Sequence, residues 1–132
     1  MRARNLLLLS LALIAVAFLG GLPKAEAQNL QNHYKCYDIV QPVDFVPRTV
    51  TLRDQFGTTT ATVRRPLQLC TPVSKNNEVV PNPQIHLVCY EIAETPVIGP
   101  KNVRTNDQFG TLTYTIRNPN RLCVPANKTV LP

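Results

Sequence analysis

Two His-x-x-Cys pairs are the first residues of this sequence that could do chemistry. His33 precedes Cys36 by three residues, and His86 precedes Cys89 by three residues. Imidazole nitrogen and thiolate sulfur are common zinc ligands, so four such groups could nominally hold the metal. Residues three apart on a strand point to opposite faces, however, and oxidised cysteines are not thiolate ligands. We therefore predict no metal site and no cofactor, and expect both histidines to be packed or hydrogen-bonded.

Asp54 and Asp107 are the candidate carboxylates for acid–base catalysis. Each begins an Asp-Gln-Phe-Gly stretch, where Asp can cap a turn and Gly tolerates a positive φ, so a structural role explains both. Ser74 is the single serine after residue 27, which leaves a Ser-His-Asp constellation little to build on. We predict no catalytic residues. The predicted turn residues are Asp54, Phe56, Gly57, Asp107, Phe109 and Gly110.

Two rows of alternating threonines, each ending in arginine, are the remaining candidate site. Regular hydroxyls next to a guanidinium could bind a polysaccharide or another acidic polymer at two similar faces. The alternative is that Thr simply suits exposed strand positions. The candidate binding face consists of Thr58, Thr60, Thr62, Arg64, Thr111, Thr113, Thr115 and Arg117.

These features recur because the sequence repeats itself at an offset of 53 residues. Without any gap, residues 33–79 match residues 86–132 at 19 of 47 positions. Such self-similarity is typical of a duplicated structural unit. We define the first copy as residues 28–79 and the second copy as residues 80–132. We expect one fused domain, with two separate units joined by residues 76–83 as the alternative.

Residues 1–27 have the pattern of a signal peptide. Arg2 and Arg4 precede an apolar run over residues 6–19, and Ala25-Glu26-Ala27 is typical of a cleavage site. The apolar run is shorter than the roughly 20 residues that span a bilayer. We expect a secreted or periplasmic protein that begins at Gln28 and has no membrane span after signal removal.

The charge of the remaining chain is modest. Removal of residues 1–27 would leave 11 Lys or Arg, 7 Asp or Glu, and a net charge of +4. The basic residues are scattered and Trp is absent, which differs from the basic, aromatic surface of a nucleic-acid-binding protein. The charge favours a mild attraction to anionic envelope polysaccharide, and another extracellular protein is a further possible partner.

Four cysteines lie after the signal segment, two in each copy at the same separation of 34 residues. An even number in a small exported domain indicates disulfides, and four cysteines allow three connectivities. Pairing within each copy is favoured because it survives duplication unchanged. The favoured bridges are Cys36 to Cys70 and Cys89 to Cys123.

The elements that position these residues are expected to be short strands. Evenly spread Pro, with Val, Thr, Ile and Tyr between, predicts an all-β fold. Each copy should have a first strand, a Pro-containing crossing, a hairpin and a last strand. We predict two small antiparallel sheets packed as a sandwich or barrel. The predicted segments are 33–40, 49–53, 58–64 and 67–73 in the first copy, and 86–93, 102–106 and 111–117 in the second.

The second hairpin also predicts a core face. Leu112, Tyr114 and Ile116 alternate with the threonine row, and such an apolar row should point inward. Phe56 and Phe109 at the two hairpin loops are predicted to fold back as plugs.

The repeated unit H-x-x-C-Y, D-Q-F-G-T and L-C-x-P, followed by Lys, resembles a repeat domain of secreted bacterial proteins whose function is not established. The resemblance covers His33 to Lys128. It implies an exported bacterial protein with tandem copies, and it carries over no catalytic residue. The copies differ at Tyr34/Leu87, Lys35/Val88 and Arg65/Asn118.

The sequence therefore favours a secreted, non-catalytic β-repeat protein that binds or has a structural role at the bacterial envelope. The alternative is a small secreted protease inhibitor or effector that acts through its Pro-rich loops, residues 41–47 or 76–83. An enzyme that uses Asp54 or Asp107 is the third hypothesis.

Overall fold

A computed structural model describes residues 31–41 and 43–132, and the predicted signal peptide lies outside this range. The all-β prediction is confirmed for the described residues, which contain seven strands and no helix. Consequently, none of them forms a helix that could cross a membrane. The strands are β1 (His33–Asp38), β2 (Arg48–Asp54), β3 (Gly57–Val73), β4 (His86–Thr95), β5 (Lys101–Asp107), β6 (Gly110–Ile116) and β7 (Arg121–Ala126).

Five strands from both copies form one antiparallel sheet. Its order is β1, β3, β4, β7, and β2 also pairs with β3. β1 and β2 lie in line along one edge of β3, while β4 occupies the other edge. β5 and β6 form a separate two-stranded sheet. The described residues form two antiparallel sheets, as predicted, but the sheets do not divide by copy, because the pairing of β3 with β4 places strands of both copies in the larger sheet.

β3 is longer than its sequence predicts. Residues 58–64 and 67–73 belong to one strand of 17 residues that runs through Pro66. Pro66 lies where the register between β3 and β4 shifts, and such irregular positions tolerate the missing amide hydrogen. The second copy has Pro119 at the equivalent position, and there residues 117–120 separate β6 from β7.

The core lies at the junction of the two copies. Ala61 and Val63 of β3 are buried together with Ile92 of β4. Burial of these aliphatic side chains favours folding. Partly buried residues around these three are Phe45, Val50, Leu52, Tyr90 and Leu122.

The apolar row of the second hairpin does not face a core, so that prediction is wrong. Leu112 is 56% exposed and Tyr114 is 44% exposed. In the first copy the equivalent row is buried because β4 lies beside β3. Within the described residues, β6 pairs with β5 alone. Phe109 is 80% exposed and is not a plug, whereas Phe56 is half-buried.

The two disulfides join Cys36 to Cys70 and Cys89 to Cys123. Each connects residues that face each other on neighbouring strands, β1 with β3 and β4 with β7. Cys70 and Cys89 are buried, and their Sγ atoms lie 3.8 Å apart. The disulfides therefore contact each other across the β3–β4 junction.

Candidate functional site

The threonine rows lie on the polar faces of the two hairpins, β2–β3 and β5–β6. In the second hairpin each hydroxyl has a partner on the opposite strand. The hydroxyl of Thr115 donates to Asn102 Oδ1 at 2.7 Å. The hydroxyl of Thr111 donates to Asn106 Oδ1 at 3.0 Å, and Thr113 Oγ1 accepts a weak 3.4 Å bond from Arg104 Nε. These contacts stabilise the strand pair and leave the hydroxyls less free to bind a ligand.

The two arginines of the predicted binding face have different environments. Arg64 Nη1 lies 3.7 Å from Glu91 Oε1, and Arg65 Nε lies 3.5 Å from Glu91 Oε2. Arg64 thus contacts Glu91 of the neighbouring strand β4. Arg117 lies instead in the wall of a cleft. The two equivalent arginines therefore lie in different environments.

This cleft lies between the tip of the first hairpin and the second copy, and its volume is about 340 Å³. Such a volume is typical of a small-ligand site. Its walls combine apolar, cationic and acidic side chains. The apolar ones include Ile92, Ile98, Ile116 and Leu122; the cationic ones are Arg53, Lys101, Arg117 and Arg121; the acidic ones are Asp54 and Glu94.

The cleft has an excess of positive charge. Among the described residues, none of its four cations takes part in a salt bridge. Arg121 Nη1 donates to the neutral Gln68 Oε1 at 2.7 Å. A concave, partly apolar wall strengthens the field of such charges. The arrangement can therefore attract an anionic group and pack an apolar surface beside it.

A family model described as a repeat of unknown function, DUF7450, matches residues 20–128. The chain belongs to this family. No curated protein and no solved structure matches the chain. Family membership agrees with the repeated sequence and adds no ligand or catalytic residue.

The predicted turn residues form two similar hairpin loops. The Oδ1 atoms of Asp54 and Asp107 accept the amides of Phe56 and Phe109, each at 2.8 Å. The glycines that follow have a positive φ, 146° at Gly57 and 123° at Gly110. L side chains rarely adopt such a backbone conformation, which explains glycine at both positions. Both aspartates therefore have a structural role in the loops.

The two histidines have separate hydrogen-bond partners. His33 Nε2 lies 3.0 Å from Glu78 Oε2. His86 is buried, and its Nδ1 lies 3.1 Å from the Gln84 carbonyl oxygen. The cysteines of the two His-x-x-Cys pairs are in disulfides. Within residues 31–41 and 43–132, no three His, Cys, Asp or Glu side chains cluster as a metal site would require.

The Glu78 carboxylate should titrate below its ordinary range. The hydrogen bond from Lys75 lowers the pKa of Glu78 most, and the hydrogen bond from His33 lowers it next. Both bonds favour the charged carboxylate. The two contacts stabilise the folded state at a pH above the pKa that Glu78 has in the unfolded chain. This stabilisation is lost as the pH falls through the lower pKa that Glu78 has in the folded protein. We expect Lys75→Ala to raise the pKa of Glu78 more than His33→Ala does, as measured by carboxyl NMR titration. An unchanged pKa in Lys75→Ala would contradict the contact.

Proposed function

We propose that this is a secreted, non-catalytic β-repeat protein that binds an acidic polysaccharide at the bacterial envelope, in the cleft between its two copies. The observation that carries this proposal is the set of four cations around one partly apolar cleft. Two disulfides are consistent with an oxidising compartment. The absence of catalysis is part of the proposal, supported by the structural roles of Asp54, Asp107 and the cysteines.

An acidic polysaccharide fits both properties of the cleft. Its carboxylates would pair with the guanidinium and ammonium groups, which form strong charge-assisted hydrogen bonds. Its sugar rings have apolar faces, which would pack against Ile98 and Leu122. A chain of alternating rings and carboxylates could also extend beyond the cleft, because the cleft is open to solvent.

Charge reversal in the cleft tests this proposal. We expect Arg53→Glu and Lys101→Glu each to weaken binding of an oligogalacturonate by about tenfold, because each replaces an attraction by a repulsion. These residues approach the cleft from different copies. The measurement is isothermal titration calorimetry of the exported, fully oxidised protein at low ionic strength.

Arg104→Glu is the matched control, since it changes the net charge equally. Arg104 lies on the polar face of the second hairpin and does not line the cleft. We expect its affinity to change less than about twofold. An equal loss in all three variants would show unspecific attraction, and no binding by the unaltered protein would also contradict the proposal.

A further inference from the structure

The β3–β4 junction joins one edge of β3 to one edge of β4. Because the sequence is duplicated, each of these two strand edges has a counterpart in the other copy. β3 corresponds to β6 and β7 at the 53-residue offset, and β4 corresponds to β1 with the residues after it. We define the tail edge as the edge of β6 and β7 that corresponds to the β4-binding edge of β3. We define the head edge as the edge of β1 that corresponds to the β3-binding edge of β4.

Both edges lack a strand partner within the part of the chain that the structure describes. β1 uses one edge to pair with β3, which leaves the head edge open. β6 pairs with β5, and β7 pairs with β4, which leaves the tail edge open. Unpaired edges expose a row of backbone donors and acceptors that can template the addition of another strand.

The side chains beside the open edges are exposed where their counterparts are covered. Tyr114 is 44% exposed, whereas its counterpart Ala61 is 0% exposed. Tyr37 is 47% exposed, whereas its counterpart Tyr90 packs against the core. If the head edge of one molecule paired with the tail edge of another as β4 pairs with β3, the contact would cover Tyr37 of the first molecule and Tyr114 of the second.

Both hairpins have one leucine at the same level of the sheet, on β2 in the first hairpin and on β6 in the second. Leu52 faces Thr59 in the first hairpin, while Thr105 faces Leu112 in the second. Each hairpin thus presents one leucine and one threonine at this level of the sheet. The second hairpin therefore keeps an apolar face although nothing among the described residues covers it.

One of the two ion pairs of the existing junction, and its disulfide contact, have counterparts at the two open edges; the Arg65 contact does not recur, because its counterpart is Asn118. The contact of Arg64 with Glu91 corresponds to Arg117 on the tail edge and Asp38 on the head edge. The buried contact between Cys70 and Cys89 corresponds to Cys123 and Cys36. Both of these cysteines are exposed. A tail edge and a head edge therefore offer one complementary charge pair, Arg117 with Asp38.

We propose that the tail edge of one molecule binds the head edge of a second copy of this chain, extending the sheet in the β3–β4 register. Ile116 of one molecule would lie opposite Ile39 of the next, as Val63 lies opposite Ile92. The mode is strand addition between sheet edges. The two edges differ, so the interface is heterologous and leads to linear chains of molecules rather than to a closed dimer.

Sedimentation velocity of the exported, oxidised protein without any ligand tests the proposal. We expect the mean mass to rise beyond a dimer as the concentration rises from micromolar to submillimolar. Tyr37→Glu blocks the head edge and Tyr114→Glu blocks the tail edge, so each variant alone should associate at least about 100-fold more weakly. A strictly monomeric unaltered protein would overturn the proposal.

Mixing the two variants gives the decisive result. The intact tail of Tyr37→Glu can bind the intact head of Tyr114→Glu, and both remaining edges are blocked. We expect a one-to-one heterodimer and nothing larger, which would also show that both variants are folded. Leu131→Glu is the control, because Leu131 is exposed and corresponds to Glu78, and it should assemble normally. Failure of the mixture to dimerise, or growth beyond a dimer, would overturn the head-to-tail arrangement.

Discussion

Replacing Cys36 and Cys70 together by alanine is expected to lower the free energy of unfolding by about 4 kcal/mol. The bridge closes a loop with a sequence separation of 34 residues, and its removal restores that loop's freedom in the unfolded chain. The loss is a large fraction of the roughly 5–15 kcal/mol typical of a domain. Urea unfolding followed by circular dichroism and tyrosine fluorescence measures it.

The second disulfide provides a matched comparison. Cys89 and Cys123 have the same separation of 34 residues, so their joint replacement should cost a similar free energy. Removal of both bridges should leave the protein unfolded at room temperature. A loss below about 1 kcal/mol for either bridge would contradict the stabilising role that we assign to it.

Ile92→Ala is expected to lower the free energy of unfolding by about 3 kcal/mol. Ile92 belongs to the second copy, yet it packs with Ala61 and Val63 of the first copy. Truncation would remove buried apolar contacts with β3 and enlarge the adjoining cleft, which the rigid sheet can close only in part. Urea unfolding of the oxidised variant measures the effect.

Ile39 is the matched control because it is the counterpart of Ile92 in the first copy. Its side chain is half-buried and lies outside the core cluster. Ile39→Ala should therefore cost less than about 1 kcal/mol at concentrations where the protein is monomeric. Equal losses at the two positions would contradict the placement of the core at the β3–β4 junction.

The features that the sequence predicts well have local or repeated causes. The Asp-Gln-Phe-Gly loops depend on an aspartate that accepts an amide two residues later and on a glycine with positive φ. The favoured cysteine pairs depend only on the 53-residue offset. Strand composition likewise sets the all-β class, because β-branched residues suit the pleated sheet.

The features that the sequence misses depend on which strands become neighbours. β3 continues through Pro66, while the equivalent stretch of the second copy is broken around Pro119. Leu112 and Tyr114 have the alternation of a core row but remain exposed. Similar local patterns therefore have different outcomes, because β4 lies beside β3 and no described strand lies beside the tail edge.

The cleft could not be found from the repeat either. It lies between the copies, and two of its four cations do not recur: the counterparts of Arg53 and Arg121 are Asn106 and Gln68. A search for residues shared by both copies leads to the threonine rows instead. Only the approach of the first hairpin to the second copy brings these scattered cations together.

Backbone amide NMR shifts during titration with oligogalacturonate test whether the cleft is the binding site. We expect saturable shifts around the cleft, at Arg53, Lys101 and Arg121, with small changes at Thr60 and Thr113 on the polar hairpin faces. Shifts centred on the threonine rows, or shifts spread evenly over all cations, would contradict binding in the cleft.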